Sequence, residues 1–205
     1  MILLGRNVSP FVRRTAVVMN MLDVKFEQKM LSTADDQLEV YKSNPVGRIP
    51  ALILNDSETL IDSNAIIDYI IESYDLNRQL LEVSGVKRRV VLQTTVLAHG
   101  VMEKGVAFSY EKNRRPKEKI YTNWLNHIQE QLENGLAALE KIAGNTSDWL
   151  HGNDITLADI TVVCAFDYLR VRMPTIVNSN DLVSLVDLSK RANEITAFGS
   201  TKPNI

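Results

Sequence analysis

The sequence predicts a mixed α/β domain followed by an all-helical one. Three observations lead there. Short apolar runs alternate with helical patterns over residues 1–75. The strand-like pattern stops near residue 85, and only helical periodicities recur beyond it.

In the first part, Ile2–Leu4 reads as a strand. Pro10 stands where proline favours a helix start, and Val12, Ala16, Met19 and Leu22 mark a helical face. Lys25–Leu31 suggests a second strand and Asp35–Lys42 a short helix. Asn44-Pro45-Val46-Gly47 is a turn signal. Pro50–Leu54 reads as a strand that starts on proline, where the missing N–H does least harm. Asn55-Asp56-Ser57 then reads as a hairpin turn, and Glu58–Ile61 as the return strand. From Asp62 the pattern is helical again, through Ala65, Ile66, Tyr69 and Ile70. The predicted order is βαβαββα, with residues 1–75 as the first domain and 76–85 as a linker in which Leu76, Leu80 and Leu81 can pack.

Residues 86–205 read as the helical domain. One long helix is expected to about Asn113, with Gly100 and Gly105 as bends or close-approach points. A second is expected from Pro116 to about Ala143. Trp124 on that helix and Trp149 beyond it read as packing anchors. The sharpest local signal is Thr156-Leu157-Ala158-Asp159, a hydroxyl at the cap and a carboxylate three residues on, flanked by Ile155 and Ile160. It reads as structural. Leu182–Phe198 reads as one or two short helices.

Composition narrows the function. A formal net charge of −2 gives no electrostatic reason to expect nucleic acid or an anionic membrane as partner. Apolar runs fall well short of the roughly 20 residues a membrane span needs. No signal segment is expected, and a lone cysteine, Cys164, suits a reducing compartment, so a cytoplasmic protein is predicted. His99, His127 and His151 are dispersed without ligand spacing, so no metal site is expected. Lys87-Arg88-Arg89 and Lys112 with Arg114-Arg115 read as solvated surface.

Four segments, in this order and spacing, carry a resemblance: Ser9–Arg14, Asn44–Leu52, Leu60–Ile66 and Gly152–Asp159. Together they resemble the bacterial glutathione S-transferases, with a serine-type N-terminal motif, over essentially the whole chain. The resemblance implies a thioredoxin-like first domain, a helical second domain and reduced glutathione as cosubstrate. It also implies a homodimer and conjugation to a small hydrophobic electrophile, a detoxification activity. The alternatives are a non-catalytic ligand-binding or protein-interaction module on the same fold, or a glutathione-dependent peroxidase or isomerase.

The resemblance also implies a site. Ser9 would donate its hydroxyl to the glutathione sulfur, because a free thiol with a pKa near ~8.5 is mostly protonated at neutral pH. From the residues alone, Ser9 before Pro10 is an ordinary helix cap. Ile49 would pair its backbone with the ligand's cysteinyl unit at a cis Pro50, whereas the residues alone favour a trans strand-start proline. Asp62 and Ser63 would receive the γ-glutamyl ammonium and α-carboxylate, or else serve only as a cap. Aspartate stands at 62 where the family more often has glutamate. Thr33–Gln37 and Arg48 are candidates for the glycyl end. The electrophile is expected between the domains, near Asn7, Val8, Met102, Val106, Phe108 or Tyr110. Ser9-Pro10-Phe11-Val12 holds no thiol pair, so glutaredoxin-like dithiol exchange is unavailable there.

Overall fold

A computed structural model describes residues 1–55, 58–146, 148–177 and 181–203. The predicted hairpin turn at Asp56-Ser57 lies outside the described residues. The chain divides into two compact units, one formed by Met1–Glu82 with Ala192–Ile205, the other by Val83–Arg191. The last turns of the chain therefore belong with the first unit rather than with the helical stretch that precedes them in sequence.

The first unit follows the βαβαββα order. Strands β1 (Ile2–Leu4), β2 (Glu27–Lys29), β3 (Ala51–Asn55) and β4 (Glu58–Ile61) form one sheet in the order β2-β1-β3-β4. β1 and β2 are parallel; β3 runs antiparallel to both β1 and β4. A mixed sheet with its strands this short is stabilised by what packs on its faces. Helix α2 (Gln37–Ser43) contributes Val40 to a cluster with Leu4, Leu31 and Ala51, against which Ile2, Ile49, Ile53 and Ile61 pack. Helices α1 (Pro10–Met21) and α3 (Ser63–Tyr74) pack on each other and on β1 and β3.

Helix α1 departs from the one-faced pattern that its sequence suggests. Every residue from Pro10 to Met19 is buried, including Arg13 and Arg14. Arg13 reaches the C-terminal segment, donating to Asn193 Oδ1 at 2.9 Å and to the Phe198 carbonyl at 3.5 Å. Helix α8 (Thr196–Gly199) rests on α1 through this contact. A buried guanidinium is tolerated only when hydrogen-bonded, which explains how two arginines enter a core.

In the segment predicted as linker, Leu80 and Leu81 are buried while Leu76 is exposed. Buried Asp75 organises it, accepting from the Gln79 and Leu80 N–H groups at 2.8 and 2.9 Å.

The second unit is helical: α4 (Gly85–Asn113), α5 (Thr122–Ala143), α6 (Leu157–Arg172) and most of α7 (Val183–Glu194). Gly105 is a close-approach point, since a Cβ there would lie 2.7 Å from Leu169 Cδ2 and 3.1 Å from Tyr168 Cε1. At Gly100 the space is open. The helix expected from Pro116 starts six residues later. Lys117–Lys119 form a 3₁₀ turn and Ile120 is extended. The cause is buried Glu111 on α4, which accepts from the Tyr121 N–H at 3.1 Å and from Arg115 Nε at 2.9 Å, pinning the segment before a new helix begins. Trp124 is not the expected anchor: it is 46% exposed, tilted against His127.

The start of α6 is closed. Asp159, 0% exposed, accepts at Oδ2 from the Thr156 N–H (2.9 Å) and hydroxyl (2.7 Å), and at Oδ1 from the Leu150 N–H (2.8 Å). Ile155 and Ile160 on either side are buried. Cys164 is buried in the same helix. Among the described residues, no helix is long and apolar enough to cross a membrane, and no group of three or more His, Cys, Asp or Glu converges as a metal site would require.

Candidate functional site

A cleft of about 140 Å³ opens in the first unit, lined by Phe11, Asn44, Val46, Arg48, Ile49, Pro50, Ile61, Asp62 and Ser63. Four of the five residues singled out from sequence, Ile49, Pro50, Asp62 and Ser63, line it together. Ser9 does not, although Phe11, two residues along α1, does.

The loop 44–50 forms one wall. Buried Asn44 shapes it, donating from Nδ2 to the Arg48 carbonyl (2.8 Å) and accepting at Oδ1 from the Val46 N–H (3.0 Å). Gly47 has a φ of +69°, and a Cβ there would run into Gln37 and Tyr41 of α2. Gln37 also donates to the Gly47 carbonyl at 3.2 Å. Thus Gln37, one of the glycyl-end candidates, braces the loop. Arg48, a candidate outside the 33–37 stretch, lies exposed on the cleft wall with its guanidinium 5.9 Å from the Phe11 ring centroid. The Ile49–Pro50 bond is cis. The Ile49 side chain packs on the sheet cluster. Its backbone N–H and carbonyl make no hydrogen bond among the described residues.

The start of α3 forms the opposite wall. Asp62 is exposed and caps the helix, accepting from the Asn64 N–H at 2.8 Å. It does so with φ 71° and ψ 133°. For a non-glycine residue such a backbone costs on the order of 1–3 kcal/mol, and it persists only where its surroundings fix it. Ser63 is 1% exposed, and its Oγ has no hydrogen-bond partner among the described residues. A buried hydroxyl left unpaired costs roughly 1–3 kcal/mol. No acidic side chain occupies the first turn of α3, so its positive end faces the cleft without a competing carboxylate beyond the cap.

Ser9 caps α1. Its Oγ accepts from the Val12 N–H at 3.5 Å, a long bond. Accepting uses a lone pair and leaves the hydroxyl proton available to donate, so the two roles are compatible at one oxygen. The loop before it is held from β2: Gln28 Nε2 donates to the Gly5 carbonyl (2.9 Å) and to Asn7 Oδ1 (2.7 Å). Gly5, at φ +127°, fits where a Cβ would lie 2.5 Å from Val12 and 3.1 Å from Ile49.

Sequence reasoning missed Phe11, Asn44, Val46 and Ile61 as cleft walls. All four sit inside segments already singled out, but only folding brings those segments to one surface. Of the candidates for an electrophile wall, Met102 and Phe108 are buried and Tyr110 is exposed in the second unit.

Comparison with known proteins agrees with this architecture. The glutathione S-transferase N-terminal domain pattern matches residues 3–78, and the C-terminal domain pattern matches residues 122–194. The GST-like protein YibF of Escherichia coli is 27% identical over 203 residues, covering 98% of both chains. A maleylacetoacetate isomerase of Pseudomonas aeruginosa is 32% identical over 124 residues, 58% of this chain and 56% of that one. A glutathione S-transferase from Methylobacillus flagellatus, solved with GSH bound, matches with a TM-score of 0.91 at 27% identity, covering 99% of each chain. A glutathione transferase family member from Pseudomonas fluorescens, solved with bound glutathione, matches with a TM-score of 0.85 at 26% identity, covering 100% of this chain and 99% of that one. The chain belongs to the glutathione S-transferase superfamily: a thioredoxin-like first domain followed by an all-helical second.

Proposed function

We propose that this protein is a glutathione transferase that binds reduced glutathione in the cleft between loop 44–50 and the start of α3, and transfers its sulfur to a small hydrophobic electrophile. The observation that carries the reading is the buried Ser63 Oγ, without a partner among the described residues, at the positive end of α3 beside an exposed carboxylate. That pairing suits the α-carboxylate and ammonium of a γ-glutamyl group. The free backbone groups of Ile49 suit the ligand's cysteinyl amide. Similarity to transferases solved with glutathione bound supports the same ligand.

Ser9 is the proposed thiol-activating residue. Its hydroxyl, at the positive end of α1, would donate to the sulfur and favour the thiolate. Lowering the thiol pKa by one unit takes about 1.4 kcal/mol, within reach of one charge-assisted hydrogen bond. The sulfur, not Ser9, is then the nucleophile. Arg48, exposed on the cleft wall, is the proposed partner of the glycyl carboxylate. A cytoplasmic homodimer that engages neither nucleic acid nor membrane completes the proposal.

Ultraviolet absorbance of bound thiolate, followed against pH, tests it. Ser9→Ala is expected to raise the pKa of bound glutathione by about one unit while leaving occupancy nearly unchanged. Equal thiolate fractions at matched saturation contradict the role of Ser9. Saturable binding without any thiolate in the wild-type protein favours a non-catalytic binding module.

A further inference from the structure

Asp62 holds an uncommon backbone conformation at the point where the cleft meets α3, and something must hold it there. Its cap bond to the Asn64 N–H fixes one side. The Asn64 side chain is fixed in turn from below: Arg14 Nη1, on α1, donates to Asn64 Oδ1 at 3.1 Å. Arg14 is 1% exposed, whereas Asn64 is exposed, so the contact joins an immobile core group to a surface turn. Neither side chain lines the cleft.

We infer that Arg14 and Asn64 are positioning residues for recognition of the γ-glutamyl end of the ligand. This inference rests on the glutathione reading of the cleft. The chain of contacts runs from the core through Asn64 to Asp62 and Ser63. It holds the strained turn so that the Asp62 carboxylate and Ser63 hydroxyl are presented together. The guanidinium also places a buried positive charge within hydrogen-bond distance of the Asn64 side chain. Without the tether, Asp62 relaxes toward commoner backbone conformations and the two groups no longer converge. The cost falls on the γ-glutamyl end alone, because loop 44–50 is braced independently by Asn44 and Gln37.

The test is a coupling measurement between residue and ligand group. Reduced glutathione and its analogue with the γ-glutamyl α-carboxylate converted to the amide are titrated into the wild-type protein and into Asn64→Ala. Asn64→Ala is the main variant because its site is exposed; Arg14→Met, a core change, is a second variant to be used only if its melting curve remains cooperative. Asn64→Ala is expected to weaken glutathione about tenfold, the scale of one charge-assisted hydrogen bond. It should also shrink the penalty for amidation, since the variant no longer presents the groups that read that carboxylate. Asn64→Asp, which keeps an acceptor for Arg14, should recover most of the affinity. Unchanged glutathione affinity in Asn64→Ala overturns the inference. So does an equal loss for both ligands with the amidation penalty intact, which is the signature of general loosening. Wild-type protein that binds neither ligand overturns the glutathione reading itself and is distinguishable from both.

Discussion

Helices α6 and α3 begin with the same chemistry, a small polar residue and an aspartate, yet the two starts are finished differently. At α6, Asp159 is sealed from solvent and both carboxylate oxygens are spent on the protein's own donors. At α3, Asp62 is exposed on a strained backbone, and the neighbouring Ser63 hydroxyl is buried without a partner among the described residues. One helix start is complete and holds the fold. The other is incomplete and lines a cleft. A cap motif in the sequence announces a helix start; whether it also announces a site depends on which of its polar atoms the fold leaves unspent.

The largest expected effect lies on the complete side. Asp159→Ala strips acceptors from the Leu150 and Thr156 N–H groups, one of them buried. It should lower unfolding free energy by about 3 kcal/mol, read by denaturant titration. A loss below about 1 kcal/mol breaks the comparison. The incomplete side should respond in the opposite manner. Ser63→Ala removes a hydroxyl that bonds nothing among the described residues, so stability should hold or rise slightly. Glutathione affinity should fall about tenfold, near 1.4 kcal/mol. A stability loss comparable to that of Asp159→Ala would show that Ser63 serves the fold after all.

The smallest expected effect concerns pH. Burial pushes the His151 imidazole below its ordinary value of 6.5, with Asp159 acting weakly the other way. His151 Nε2 lies 2.9 Å from the Thr94 hydroxyl. The unfolded chain therefore takes the proton first as pH falls. Stability from this residue is full above about 6.5 and is lost as pH drops from there toward the lower folded value. His151→Gln should flatten that part of the stability–pH curve in thermal melts, and an unaltered slope would assign it elsewhere.

Most of the fold was legible because its signals are local. The βαβαββα order, the capped α6 and the long α4 all follow from periodicity and turn chemistry within a few residues. What was not legible depends on distant partners. Arg13 and Arg14 carry no local signal for burial, but Asn193 and Asn64, far along the chain, accept from them in the core. The break before Thr122 comes from Glu111 on the preceding helix, not from the break's own residues. The site was half legible for the same reason. Ser9, Asp62 and Ser63 carry residue types that suit a cap and a ligand equally, so sequence alone leaves both readings standing. Asn44 and Val46 share a loop with Pro50, but Phe11 comes from α1, and its meeting with that loop exists only in the folded chain.

A calorimetric titration of the full chain with reduced glutathione at neutral pH tests the central claim most directly. The account predicts saturable binding near one ligand per chain. No detectable heat up to millimolar ligand, with the protein shown to be folded, would contradict it.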